Sequence, residues 1–189
     1  MKKILVSITA ISVILLVAFQ LGLFGSKSIL ETYALEDMTV ESMVLALETK
    51  TIDTTGLVAS INSKFLVLET ENDKVTVALP EDRFYLSFAP YITNTHPCNT
   101  HFLTSCQNEL RNESFHVKVV LEDGTVLIDE TLTSASNGFV GIWLPRDVEA
   151  VLHIEYDDLH VSTPIETFES SNTCLTTPLQ LVKKDSLPQ

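Results

Sequence analysis

Residues 84–106, FYLSFAPYITNTHPCNTHFLTSC, begin as an alternating, strand-like run and end in a loop that is dense in sulfur and imidazole. The loop carries four side chains that bind soft metals or undergo redox chemistry: His96, Cys98, His101 and Cys106. Such a pattern is typical of a metal or redox site. Pro97 restricts the backbone beside Cys98, and a preset loop loses less entropy when it binds an ion. The third cysteine, Cys174, lies far off near the C-terminus.

The composition of the chain excludes one large class of partner. The formal net charge is −13 and the isoelectric point is about 4.6, whereas binding to nucleic-acid phosphates requires clustered lysine and arginine. Hydrophobic residues make up 45% of the 189-residue chain, which is enough to form a folded core. We therefore expect a folded, acidic protein that does not bind nucleic acid.

The N-terminus reads as an export signal. Lys2 and Lys3 precede an uncharged, apolar run over residues 4–25, which is long enough to span a bilayer as a helix. We predict a signal-anchor over residues 1–28, with a single pass and the remaining chain outside the cytoplasm. The alternative is a cleaved signal and a secreted or periplasmic protein. Export follows in both cases.

Export bears on the cysteines, because two of three would ordinarily pair in an oxidising compartment. The residues alone leave three arrangements open. Cys98 and Cys106 form a disulfide with Cys174 free, Cys174 staples the C-terminal tail to the loop, or all three cysteines bind a metal ion. His96 and His101 are either ligands of that ion or hydrogen-bond partners within the loop. The remaining histidines lie in strand patterns and are interpreted as surface or edge residues: His116, His153 and His160.

The predicted fold class is α+β: the N-terminal membrane anchor, a short helical segment, and then a predominantly antiparallel, small sandwich-like β domain. Residues 29–56 are assigned to a tether and a helix, and residues 57–189 to the β-rich domain. The helix is expected over residues 39–49 (TVESMVLALET), with Thr39 or Asp37 as its N-cap and apolar residues at helical spacing.

Strands are expected wherever β-branched and aromatic residues alternate between turn formers. Those runs are LVASI (57–61), FLVLET (65–70), VTVALP (75–80), FYLSFAPYI (84–92), FHVKVVL (115–121), TVLIDETL (125–132), FVGIWLP (139–145), VEAVLHIEY (148–156) and HVSTPIETF (160–168). The Asp123-Gly124 pair between two of them predicts a hairpin.

Three blocks of sequence resemble the CueP family of exported copper-binding proteins. They are residues 84–110 (FYLSFAPYITNTHPCNTHFLTSCQNEL), residues 137–145 (NGFVGIWLP) and residues 173–177 (TCLTT). The resemblance extends over roughly residues 58–181 and includes all three cysteines. It departs from the enteric relatives at the N-terminus, where they resemble soluble, cleaved proteins and this chain has a long apolar segment.

The resemblance implies that Cys98, Cys106 and Cys174 bind copper as thiolates, and that His96 and His101 occupy family positions beside them. Copper would be held as Cu(I), which prefers thiolates, or first as Cu(II), which favours imidazole; zinc is the less favoured occupant. The implied partners are copper ions, a copper-receiving protein or thiol reductant, and a second copy in a homodimer. The apolar run at the N-terminus adds the membrane as an expected partner.

The function hypothesis is an extracytoplasmic protein that sequesters copper or passes it on, with reduction of Cu(II) to Cu(I) as an associated activity. The alternative is a thiol–disulfide redox adaptor with a structural disulfide and no stable metal. A classical enzyme is disfavoured, because no oriented base or oxyanion site accompanies Cys98 and no C-x-x-C motif is present.

Overall fold

The computed structural model describes residues 27–183 and consists mainly of antiparallel β-sheet with few helices. The helices are α1 (Ile29–Thr32) and α2 (Val40–Thr49). The strands are β1 (Val58–Ile61), β2 (Phe65–Glu69), β3 (Lys74–Ala78), β4 (Arg83–Phe88), β5 (His101–Phe102), β6 (Ser114–Leu121), β7 (Val126–Thr133), β8 (Val140–Pro145), β9 (Glu149–Tyr156), β10 (Leu159–Glu166), β11 (Cys174–Leu175) and β12 (Val182–Lys183).

Within residues 27–183, neither helix has the length and apolar character needed to cross a membrane. The predicted signal-anchor falls on residues 1–28, nearly all of which lie outside the described residues.

Helix α2 forms where the sequence predicts it. Thr39 is its N-cap, and the Thr39 side chain accepts a hydrogen bond from the Ser42 backbone N–H at 3.3 Å. The helix ends at Lys50, whose left-handed backbone (φ 54°) breaks the helical path. Apolar side chains on its inner face, among them Val44 and Leu47, are buried. The helix can therefore present one face to a sheet and leave the other in solvent.

The segment before α2, assigned from sequence to a tether, is more structured than a tether. Ser28 caps the single turn of α1 by accepting a hydrogen bond from the Glu31 backbone N–H at 3.1 Å. Ile29 and Leu35 are buried in the same apolar cluster as the inner face of α2. This burial fixes the chain against the domain before the helix begins.

The strands form three sheets. The first has the order β3-β2-β1-β5, the second β12-β10-β9-β6-β7, and the third β11-β4-β8. The pairings are antiparallel except for that between β11 and β4. As predicted from Asp123-Gly124, β6 and β7 form a hairpin, and Gly124 adopts a positive φ of 88° that a residue with a Cβ rarely adopts.

Two apolar cores follow from this arrangement. One packs α1 and α2 on strands β1 and β2, and the other packs β4 and β8 on the inward faces of β6, β9 and β10. Strand β4 contributes to both, because Tyr85 belongs to the first core while Phe84 and Leu86 belong to the second. A third, small cluster at the end of β4 consists of Ala89, Phe139 and Cys174, with Cys98 and Cys106 packed against it.

Candidate metal centre

Three chain segments meet at the end of β4. The loop that follows β4 carries His96 and Cys98, and it leads into the short strand β5, which pairs with β1 through Ile61 and His101. The C-terminal strand β11 runs parallel to β4, so that Cys174 lies opposite Ser87. Pairing with two different sheets therefore brings together residues that are far apart in sequence.

The three cysteines converge, as predicted. Cys98 and Cys174 form a disulfide with a Cα–Cα distance of 5.3 Å, across a sequence separation of 76 residues. Cys106 is a free, half-buried thiol whose Sγ lies 3.9 Å from Cys98 Sγ. Of the arrangements left open by the sequence, the structure contains the one in which Cys174 staples the tail to the loop. The alternative Cys98–Cys106 pairing is not the one present.

The two histidines of the loop occupy different environments. His101 is fully buried, and its Nδ1 lies 3.6 Å from Cys174 Sγ while its Nε2 lies 2.7 Å from Glu48 Oε2. His96 is half-buried at the edge of the cluster. The donor atoms form two overlapping groups, each within 4.8 Å: one from His96, Cys98 and Cys106, the other from Cys98, His101 and Cys174.

Glu48 is the functional residue that the sequence reasoning missed. It is 4% exposed, and its carboxylate accepts hydrogen bonds from Asn137 Nδ2 at 2.6 Å and from Tyr85 Oη at 3.2 Å, besides its contact with His101. The signal was its place on α2, four residues after Val44 on the apolar face. A carboxylate at such a position is buried only when it is paired or hydrogen-bonded.

Asn137 forms a turn: its Oδ1 accepts a hydrogen bond from the Phe139 backbone N–H at 3.0 Å. Its amide nitrogen has the second task of holding Glu48. Thr173, just before Cys174, accepts from the His101 backbone N–H at 3.4 Å and donates to the Ile61 carbonyl at 2.6 Å. These contacts fix His101 through both its backbone and its ring.

The electrostatics of the pocket favour a charged His101 in this disulfide state. Burial alone lowers the pKa of His101, but hydrogen bonds to Cys106 and Glu48, and the negative charge of both, outweigh burial and raise the pKa to about 9. Burial and the Glu48 charge raise the pKa of Tyr85 well above its ordinary value. Tyr85 therefore stays a hydrogen-bond donor to Glu48 at any physiological pH.

A second carboxylate holds the loop that carries His96 and Cys98. Glu109 accepts backbone N–H bonds from Ile92, from Thr93 at 2.8 Å and from Asn94 at 3.0 Å. Burial works to raise the pKa of Glu109, but the three N–H donors together prevail and lower it. Further along the loop, the Thr176 hydroxyl donates to the His96 carbonyl at 2.5 Å and ties the loop to the C-terminal tail.

Comparisons with known proteins bear on this site. A sequence model described as "CueP: Periplasmic copper-binding protein CueP" matches residues 42–180. The solved structure described as "Crystal Structure of S.CueP" is similar to this chain at 38% sequence identity with a TM-score of 0.78. That similarity covers 84% of this chain and 100% of the other. No curated protein matches the sequence.

Proposed function

The chain belongs to the CueP family, and from that premise we propose that it is an extracytoplasmic copper-binding protein. The observation that carries the proposal is the convergence of three cysteine sulfurs, with Cys106 Sγ 3.9 Å from one half of the Cys98–Cys174 disulfide. His96 and His101 place imidazole nitrogens at the same cluster.

The donor set suits copper better than it suits a hard cation. Once the disulfide is reduced, Cys98, Cys106 and Cys174 provide three thiolates, which Cu(I) prefers. Imidazole from His96 or His101 is a good ligand for Cu(II), the form in which copper is expected outside the cytoplasm. Zinc accepts the same thiolate and imidazole donors in a tetrahedral, four-coordinate site and is the competing occupant.

Glu48 supports His101 as a ligand through Nδ1. When Nε2 of His101 carries the ring proton, it donates a hydrogen bond to Glu48. The lone pair of Nδ1 then faces the sulfurs. A carboxylate behind a metal-binding histidine fixes the tautomer and ring orientation in this way. Because its pKa is high, His101 is protonated on both ring nitrogens in the metal-free state. The proton on Nδ1 has to leave when an ion binds there.

Reduction of copper is consistent with the cysteine count. If Cys98 and Cys174 begin as thiols, forming their disulfide releases two electrons and two protons. The electrons convert two Cu(II) ions to two Cu(I) ions, and the protons go to solvent. Cys106 stays a thiolate and, with an imidazole, retains one Cu(I). The cycle then requires an external thiol reductant to reopen the disulfide.

Extracytoplasmic placement is part of the same proposal. The family description names a periplasmic protein, and the basic start and apolar run of residues 1–25 support export of this chain. Attachment to the membrane through that run, the homodimer and a copper-receiving partner remain predictions from the sequence.

A second candidate function is that of a thiol–disulfide adaptor without stable metal. The 3.9 Å separation of Cys106 Sγ from Cys98 Sγ favours it, because a thiolate so close can attack Cys98 and release Cys174. The sulfur–sulfur bond then passes from Cys98–Cys174 to Cys98–Cys106, with no net oxidation.

One experiment separates the two functions. The full chain is reduced, freed of reductant without air, and given Cu(II), and the thiols and the bound copper are then counted. A protein that only binds copper retains the ion with its thiols intact, and a reducing one loses two thiols for every two Cu(I) ions that appear. Thiols that exchange with an external disulfide while no copper is retained would support the adaptor and contradict the copper proposal.

A further inference from the structure

The three histidines outside the cysteine loop lie together on one sheet face. In the five-stranded sheet, Glu155 of β9 lies directly opposite His116 of β6 on one side and His160 of β10 on the other. His153 lies two residues before Glu155 on the same strand, and its side chain is therefore on the same face. The sequence alone predicts surface or edge residues at these positions, and their proximity is not visible there because it depends on strand register.

The face is the outer one. Along β6 and β9 the neighbours of these side chains, Val117, Leu152 and Ile154, are fully buried in the core against β4 and β8. Side chains alternate across a strand, so the histidines and Glu155 point away from that core. They are thus on the opposite face of the sheet from the core.

We propose that His116, His153, Glu155 and His160 form a second cation site, selective for Cu(II), on the outer face of the sheet. Side chains directly opposite on paired strands have Cβ atoms about 5 Å apart, and diagonal neighbours about 7–8 Å. Those spacings allow a central carboxylate and flanking imidazoles to reach one ion. Imidazole nitrogen with carboxylate oxygen suits Cu(II), which binds such sites more tightly than other first-row divalent ions.

Two of the rings have a polar partner beside them on this face. His116 Nε2 lies 3.0 Å from Asp129 Oδ1, and His153 Nδ1 lies 2.7 Å from the Ser162 hydroxyl. Each contact leaves the other ring nitrogen available to an ion, in the manner of an outer-shell partner of a metal-bound histidine. Within residues 27–183, His160 Nδ1 is a buried nitrogen without a hydrogen-bond partner. An ion would satisfy it.

The site closes by side-chain rotation. In the described part of the chain, sets of three donor atoms within 4.8 Å occur at the cysteine cluster, so the outer-face imidazoles have to turn towards Glu155. Exposed side chains change rotamer within nanoseconds, which makes this a small barrier. Lys118, on the same face, is held 3.2 Å from Asp129 by an ion pair, and the overall charge of −13 still favours a cation.

The test uses the full chain in air-oxidised form with Cys106 alkylated, so that no thiol can reduce or bind copper. Glycine-buffered Cu(II) is added, and electron paramagnetic resonance reports the bound ion. We expect one Cu(II) per chain with hyperfine splitting from at least two imidazole nitrogens. His153→Gln, His160→Gln and Glu155→Gln should each weaken its binding by on the order of tenfold or more.

Glu69→Gln is the matched control, since it removes one exposed carboxylate on strand β2 of another sheet, where it pairs with Lys74 at 3.1 Å, and it should leave the Cu(II) affinity unchanged. Loss of the signal in the control, or parental affinity in the three outer-face variants, would overturn the proposal. A measurement on the parent guards against misfolded variants. Substoichiometric Cu(II) should broaden the nuclear magnetic resonance signals of His116, His153 and His160 before those of His96 and His101, and the reverse order would contradict the site.

Discussion

The Glu48 carboxylate lies 2.7 Å from His101 Nε2, although the two residues are 53 positions apart in the sequence. The pair connects helix α2 to the cysteine cluster. A buried carboxylate is costly unless it is compensated, and here the compensation comes from His101, Asn137 and Tyr85. We infer that α2 serves the site as well as the core.

Glu48→Gln should weaken copper binding by about 10- to 100-fold. The glutamine amide would present N–H groups at the position where Tyr85 and His101 both donate hydrogen bonds to Glu48. The His101 ring therefore loses the acceptor that fixes its tautomer. Copper affinity of the reduced full chain, measured by competition with a chromogenic chelator, checks this expectation. Glu41→Gln is the control, because Glu41 lies on the same helix and pairs at the surface with Arg83 at 3.2 Å. Equal affinity of both variants and the parent would contradict the role of Glu48.

The oxidised, metal-free protein should lose stability in mildly alkaline solution. The folded pKa of His101 is raised to about 9, whereas an unfolded histidine titrates near pH ~6.5. A raised pKa contributes stability that is complete below the unfolded value and is lost as the pH rises through about 9.

Urea unfolding of the parent and of Glu48→Gln at about pH 6 and about pH 9.5 tests this expectation. The parent should lose more free energy of unfolding between the two than the variant does, since the variant lacks the charge that helps to hold the proton on His101. Parallel pH profiles would show that Glu48 does not raise the His101 pKa.

The regular elements were accessible from sequence because their causes are local. Alternation and turn residues place β1 to β4 and β6 to β10 within a few residues of their observed bounds, and Thr39 marks the start of α2. The short strands β5, β11 and β12 were not predicted, because two residues carry no period and each exists through pairing with a distant strand.

The candidate site also contains some residues that the sequence reveals and others that it does not. Its cysteines and histidines are visible as a local cluster plus Cys174, but Glu48 is defined by partners 37, 53 and 89 residues away. The pairing of Cys98 with Cys174 is set by the parallel contact of β11 with β4, which no local pattern encodes. Long-range register is therefore the missing information in both cases.

Glu109→Gln should loosen the loop before Cys98. A neutral amide oxygen accepts more weakly than a carboxylate, and the amide nitrogen cannot accept from the N–H groups of residues 92–94. Hydrogen exchange at those three amides should accelerate on the order of tenfold, and copper affinity should fall with it. Asp123→Asn is a suitable control, since Asp123 accepts from the Thr125 N–H at 2.9 Å in an exposed turn. Unchanged hydrogen exchange at residues 92–94 would contradict the proposal that Glu109 holds this loop.

Cys106 should exchange with the disulfide. Incubation of the oxidised parent at about pH 8, followed by acid quenching and peptide mapping, should recover both Cys98–Cys174 and Cys98–Cys106 bonds. The short distance between Cys106 Sγ and Cys98 Sγ is the reason. In Cys106→Ser only the Cys98–Cys174 bond should appear. A parent that yields only Cys98–Cys174 would argue against the exchange step and against the adaptor function that depends on it.

Cys174→Ser tests whether the distant cysteine is a ligand or only a staple. The comparison has to be made on reduced protein, where the disulfide is absent from the parent as well and its loss cannot account for a difference. A three-thiolate site predicts that Cu(I) affinity falls by at least on the order of 100-fold, because a hydroxyl is a poor ligand for a soft ion. Ser87→Ala is the matched control, since Ser87 lies opposite Cys174 across the β4–β11 pair and its loss removes no sulfur or imidazole donor. Parental Cu(I) affinity in Cys174→Ser would leave Cys98, Cys106 and an imidazole as the site and assign Cys174 to the redox step alone.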